Sequence, residues 1–278
     1  MLRLPILAGL LCVSALHGAS PDGIDLALDR MYNQDYRAAH EHLDQYIAAH
    51  PQDPVGYAFR ASAYLFGELD RMGILESEFF VDDNKIAEKK KKMEPDPGTR
   101  EKFVRAVHDV ETRADVMLKA NPNDPQALFA MCIAQGVATD YMAFIEKKQF
   151  SSLSIAKKSN GYAQRLLKVD PKFYDAYLTA GISEYMIGSL PFFIKWFVKF
   201  DNVDGSKDRG VDRLKMVANF GHYFKPFSKI LLSIIALREK RPQEARAWLT
   251  DLSQAYPENR LFRSELAKVT SRLGGSAN

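Results

Sequence analysis

Residues 100–121 read REKFVRAVHDVETRADVMLKAN, and their spacing decides the fold class. Phe103, Val107, Val110, Ala114 and Met117 recur at steps of four and three residues, the spacing that places side chains on one face of an α-helix. The run closes on Asn121-Pro122-Asn123-Asp124-Pro125. Proline cannot continue a helix and pushes the residue before it out of helical dihedrals, so this patch is a stop. The same punctuation follows other helical stretches, at His50-Pro51-Gln52-Asp53-Pro54, Asp170-Pro171 and Tyr256-Pro257. Every clear apolar period along the chain is helical and none alternates as a strand does, which predicts an all-α fold.

Between the stops a second regularity runs. Asp35-Tyr36, Ala39, Leu43 and Pro51 form a turn, a small residue, a large apolar residue and a closing proline. Tyr57, Ala61 and Tyr64 follow as aromatic, small and aromatic; Tyr177 and Gly181 repeat that pairing, and Pro242, Ala245, Leu249 and Pro257 repeat the closing pattern. Small residues at such places let two helices cross closely. In these features the chain resembles the tetratricopeptide repeat (TPR) superfamily, whose unit is a helix–turn–helix of about 34 residues. The resemblance covers most of Ser20–Ala255 and implies a right-handed superhelix of antiparallel helix hairpins, a TPR-like α-solenoid. Its irregular spacing implies five divergent units within 20–278, with insertions near 67–99, 143–150 and 190–207 and a capping helix near 259–273.

In that family the first helix of each unit lines the concave face. Carried onto this chain, the resemblance implies lining residues that include Leu65, Phe129, Ile133, Leu178 and Tyr185, with Ile24, Leu28, Met31, Ala58 and Ser62. Family members that bind chaperone tails hold Lys and Asn there to clamp a carboxylate, and these apolar residues do not fit that activity. An open apolar trough is an aggregation hazard in water, so a cover is expected. It is supplied by the chain's own insertions at 67–99 and 190–200, by a protein partner or by an apolar ligand, and any part left open is the expected binding site.

The insertion Leu190–Phe200 contributes Phe192, Phe193, Trp196 and Phe197, with Lys195 and Lys199 sharing one helical face. Its length is about half of what a bilayer span requires. It either folds back into the trough or lies at a partner or membrane interface. The following Asp201–Gly210 is not a calcium loop: with Gly205 at the invariant glycine, Phe200 falls at the first ligand position and Val211 at the closing carboxylate. Lys85 and Lys89–Lys92 are offset by Asp82, Asp83, Glu88, Glu94 and Asp96, so that stretch reads as a solvated segment with local ion pairs.

With 278 residues, 46% apolar and 26% charged, the chain is long enough to bury a sizeable core. A net charge of +3 is too small a footprint for a dedicated nucleic-acid binder. Met1–Ala19 reads as a secretory signal peptide, from Arg3 through the apolar Leu4–Leu16 to His17-Gly18-Ala19. It predicts export to the periplasm or cell envelope. Leu11 before Cys12 departs from the lipidation motif. Beyond the leader, Cys132 is the single cysteine and sits in the apolar run Leu128–Ile133, where a core role is expected.

Neither a metal nor a cofactor is expected. His40 and His42 stand about 200° apart around a helix and cannot share an ion, and all five histidines beyond the leader read as scattered surface residues. Ser154-Ile155-Ala156-Lys157 matches the Ser-x-x-Lys signature, but its companions Ser-Asp-Asn and Lys-Thr-Gly do not occur. The sequence therefore predicts a non-catalytic module that binds or scaffolds a protein or peptide partner. A peripheral membrane or lipid-handling protein using 190–200 is the second reading.

Overall fold

The computed structural model describes residues 23–76, 94–189 and 205–275. The signal-peptide stretch, the Lys89–Lys92 run and the aromatic segment with Phe192, Phe193, Trp196 and Phe197 lie outside the described residues. Among the described residues every regular element is helical, as the apolar periods predict. In chain order these are α1 (Gly23–Tyr32), α2 (Tyr36–Ala49), α3 (Pro54–Arg71), α4 (Pro97–Ala120) and α5 (Pro125–Asp140). A π-helical turn, Tyr141–Ile145, extends α5 and is followed by α6 (Gln149–Val169). A 3-10 turn (Tyr174–Ala176) then leads into α7 (Tyr177–Ser189), α8 (Lys207–Phe220), α9 (Lys225–Arg238), α10 (Pro242–Ala255) and α11 (Arg260–Gly275).

The Asp-Pro pairs turn out to begin helices as well as follow them. The carboxylates of Asp53, Asp96 and Asp124 accept from the backbone N–H of Val55 (2.8 Å), Thr99 (2.6 Å) and Ala127 (2.9 Å). Pro54, Pro97 and Pro125 then occupy the first helical turn, where a missing N–H costs nothing. Helices pack mainly on their neighbours in sequence, α1 on α2 through to α10 on α11, and α3 also meets α5. Contacts to the proline turns recur: the hydroxyls of Tyr57 and Tyr177 donate to the carbonyls of Pro51 and Pro171, each at 3.2 Å. Arg113 Nε donates to Pro51 O at 2.7 Å and Arg165 Nη2 to Pro122 O at 2.5 Å.

The core runs through α5, whose residues from Ala127 to Gln135 are all buried. Pro125–Ile145 is apolar and long enough to cross a membrane, at a mean hydropathy of 1.5, but here it is a helix wrapped by α3, α4 and α6. The α7–α8 crossing depends on two glycines. A β-carbon on Gly181 would lie 3.0 Å from Gly210 O, and one on Gly210 would lie 2.6 Å from Tyr185 N and 2.8 Å from Gly181 O. Backbone atoms cannot swing aside as a side-chain end can. Gly181→Leu should therefore cost about 1–3 kcal/mol by overpacking; thermal melting checks it, and a melt like the parent's would contradict this crossing.

The two ends of the helix series meet. Tyr32 OH, at the end of α1, donates to Tyr223 O at 3.1 Å. Asn259 Nδ2 donates to Tyr32 O at 2.7 Å, and Glu258 N–H donates to Asn33 Oδ1 at 3.3 Å. The Tyr32 and Tyr256 rings lie 5.3 Å apart. Asn259 is 4% exposed, and its Oδ1 accepts from Phe262 N at 3.0 Å, so one side chain both starts α11 and holds α1.

Candidate functional site

The interior opposite α3 and α5 is organised by one carboxylate. Asp175, buried in the 3-10 turn before α7, accepts from the backbone N–H of His222 at 3.0 Å and of Phe224 at 2.8 Å. Both lie in the Gly221–Phe224 connection between α8 and α9. Gly221 permits the tight fit, since a β-carbon there would stand 2.7 Å from Val217 O and 3.1 Å from Asp175 Oδ1.

The loop so held delivers Tyr223 and Phe224 to the interior. Phe59 lies 5.1 Å from Tyr223 and 5.9 Å from Phe224, centroid to centroid. Phe129 lies 4.8 Å from Phe173 and 5.8 Å from Tyr223, all separations at which aromatic quadrupoles attract. On the outer side of the loop, His222 stacks on Tyr223 at 4.2 Å and its Nε2 lies 2.9 Å from Asp25 Oδ1 of α1. Burial holds the Tyr32 hydroxyl well above the ordinary tyrosine range, and the nearby Tyr256 and Asp175 raise it further.

Leu65, Phe129, Ile133, Leu178 and Tyr185 all face inward and all are buried. Leu65, Phe129 and Ile133 belong to the larger core cluster; Leu178 and Tyr185 belong to a second one with Leu214, Val217, Leu232 and Ile235. Tyr223, Phe224 and Phe227 pack against the larger cluster, the last 5.4 Å from Phe66. The described start of 67–99 joins the same cluster through Leu69, Met72 and Ile74, and 190–200 lies outside the described residues. Asp175 and the loop it anchors carry no motif. The hydrogen bonds join positions 47 and 49 residues apart, beyond the reach of any local pattern.

Two surface cavities are formed among the described residues. One of about 560 Å³ is lined by His50, Pro51, Gln52, Asp53, Arg113, Val116, Met117 and Gln126. Arg113 is fixed in its wall, with the guanidinium 3.8 Å from the Tyr57 ring centroid and a bond to Asp109 Oδ1 at 3.0 Å. The other, about 390 Å³, lies at the join of the chain ends and includes Gln34, Asp70 and Arg260.

Among the described residues no three His, Cys, Asp or Glu side chains converge as a metal would require. Cys132 is buried, with Sγ 3.2 Å from Thr179 Oγ1, and burial raises its thiol pKa; it is not poised as a nucleophile. Ser154 is exposed and donates to Ser151 O at 3.0 Å. His40 departs from the expected surface role. It is half-buried and stacked 4.2 Å from Tyr64, with Nδ1 unpartnered, and burial lowers its pKa; an imidazole on the inner edge of α2 gains more from ring packing than from water.

Burial pushes the Asp140 carboxyl, at the junction of α5 and the π turn, up to about 7. Such a group is neutral in both states at low pH. As pH rises from about 4 to 7 the unfolded chain ionises first, so stability is lost across that window and the loss is complete above about 7. Asp140→Asn removes this penalty and should gain about 4 kcal/mol over the parent between pH 4 and pH 8. Urea titrations at the two pH values check it, and an equal difference at both would place the carboxylate in water.

No family model, curated protein or solved structure matches this chain.

Proposed function

We propose that the chain is an exported, non-catalytic binding or scaffolding module of the periplasm or cell envelope that receives an apolar or amphipathic segment of a protein partner. In this reading the paired helices form a TPR-like right-handed superhelix, a reading supported by the recurring bonds to the proline-turn carbonyls. The observation that carries the binding role is the cleft of about 560 Å³ beside the Pro51 turn. Pro51, Val116 and Met117 give it an apolar part, with Val116 65% exposed, and His50, Gln52, Asp53, Arg113 and Gln126 give it a polar part. Exposed apolar side chains bordered by polar ones offer a partner area to bury. Because Tyr223 and Phe224 pack against the inward apolar residues, recognition in this reading falls to the cleft beside Pro51.

The test is site-specific photo-crosslinking in the native envelope. A photoreactive residue at position 116 should yield one discrete protein adduct that Met117→Glu abolishes, while the same probe at the exposed Val104 should yield none. Equal labelling at the two sites, or an adduct indifferent to Met117→Glu, would contradict the proposal.

A further inference from the structure

The helix α6 segregates charge. Over Gln149–Val169 it carries Lys157, Lys158, Arg165 and Lys168 and no acidic residue, and Lys147 and Lys148 precede it. The whole chain carries 38 basic and 35 acidic residues, so the segment concentrates positive charge rather than sharing a general excess. At about 100° per residue, Phe150, Lys157 and Lys168 fall on one line along the helix, with Ser154, Lys158, Gly161 and Arg165 beside it. All of these are exposed. The opposite face, with Ser152, Ser159, Ala163 and Leu166, is buried, and α6 packs on α5 and α7. The solvent face is thus cationic along its length.

One end of that face is apolar. Phe150 is 91% exposed, the most exposed large apolar side chain among the described residues, and Leu153, one turn on, is 38% exposed. Lys147, just before the helix, has a positive φ of 61°, which turns the chain sharply out of the π turn and into α6. Of the two acids that border the helix, Glu146 is engaged by Lys148 at 2.9 Å and Arg100 at 3.0 Å, and Asp170, at the C-cap, accepts from the Lys172 backbone N–H at 2.8 Å.

We propose that this face of α6 docks on an anionic lipid surface, with the helix lying along the bilayer, Phe150 entering the headgroup boundary and Lys158 and Lys168 meeting the phosphates. Charge complementarity supplies the argument. A bilayer reads only positive charge and an apolar wedge, and this face offers both. A protein partner would be oriented by a groove or by mixed charge. Instead the face is the convex side of one helix, without a carboxylate, and neither described cavity borders it. The docking goes beyond the cleft reading and fails independently of it: it tethers the module, whereas the cleft at Val116 engages a partner.

The full chain without its leader is sedimented with phosphatidylcholine vesicles, with and without phosphatidylglycerol. Binding should require the anionic lipid and fall as salt rises. Each lysine near such a surface is worth about fivefold in partitioning, so Lys158→Glu with Lys168→Glu should weaken binding by about twentyfold or more. Phe150→Ser should weaken it by about tenfold while leaving its salt dependence unchanged. All three residues are exposed, and unchanged thermal melts of the variants confirm intact folds. Absence of lipid binding, or binding untouched by these variants, would overturn the proposal. So would binding to a polyglutamate peptide in place of vesicles, which would assign the face to an acidic protein segment. A position-116 adduct that persists in Phe150→Ser separates this test from that of the cleft.

Discussion

Asp175→Ala should destabilise the protein by about 3–5 kcal/mol, because two backbone donors lose a charged acceptor at once. The His222 and Phe224 N–H groups sit 3.0 and 2.8 Å from the two carboxylate oxygens, in a loop packed against the aromatic interior, where water does not readily replace the lost bonds. Asp175→Asn keeps one carbonyl acceptor and should lose about half as much. The consequence reaches beyond the loop, since Tyr223 and Phe224 ride on it and Tyr223 O holds the Tyr32 hydroxyl. Urea unfolding measures the cost. A parent-like midpoint for Asp175→Ala would show that ring packing alone holds the loop.

Phe59→Ala should cost about 3–5 kcal/mol, the range for emptying a large, fully buried aromatic site. Phe59 is 1% exposed and meets three rings from two separate parts of the chain: Phe129 of α5 at 6.4 Å, and Tyr223 and Phe224 of the loop at 5.1 and 5.9 Å. Its loss leaves a cavity between rigid helices that cannot collapse around it. A double-mutant cycle with Phe224→Ala should show coupling of about 0.5–1.5 kcal/mol beyond the single losses. Strict additivity would mean that the loop does not pack on α3 as described.

What the sequence revealed and what it hid divide along contact range. The helices and their proline stops are legible because each follows from residues within a turn or two; the set Leu65, Phe129, Ile133, Leu178 and Tyr185 comes from the repeat resemblance, and all five are buried. Period alone assigns a face. It does not say what stands opposite that face, and here the answer is Tyr223 and Phe224, in a connection too short to have a period. The join of the chain ends is hidden for the same reason. Tyr32 pairs with Tyr223 and Asn259, 191 and 227 residues away, and no motif surrounds either partner. Cys132 was readable as core from its apolar neighbours. His40 was not, because the Tyr64 ring that receives it comes from the next helix.

The central claim is that α1 meets both the Tyr223 loop and the turn between α10 and α11. Its most direct measurement is the distance between spin labels on Asp29→Cys of α1 and Arg263→Cys of α11, in a Cys132→Ser background. This arrangement places α1 against the turn that opens α11. It predicts one narrow distribution below about 30 Å, two to three helix diameters. A distribution centred beyond about 45 Å, as helices splayed in chain order would give, would contradict it.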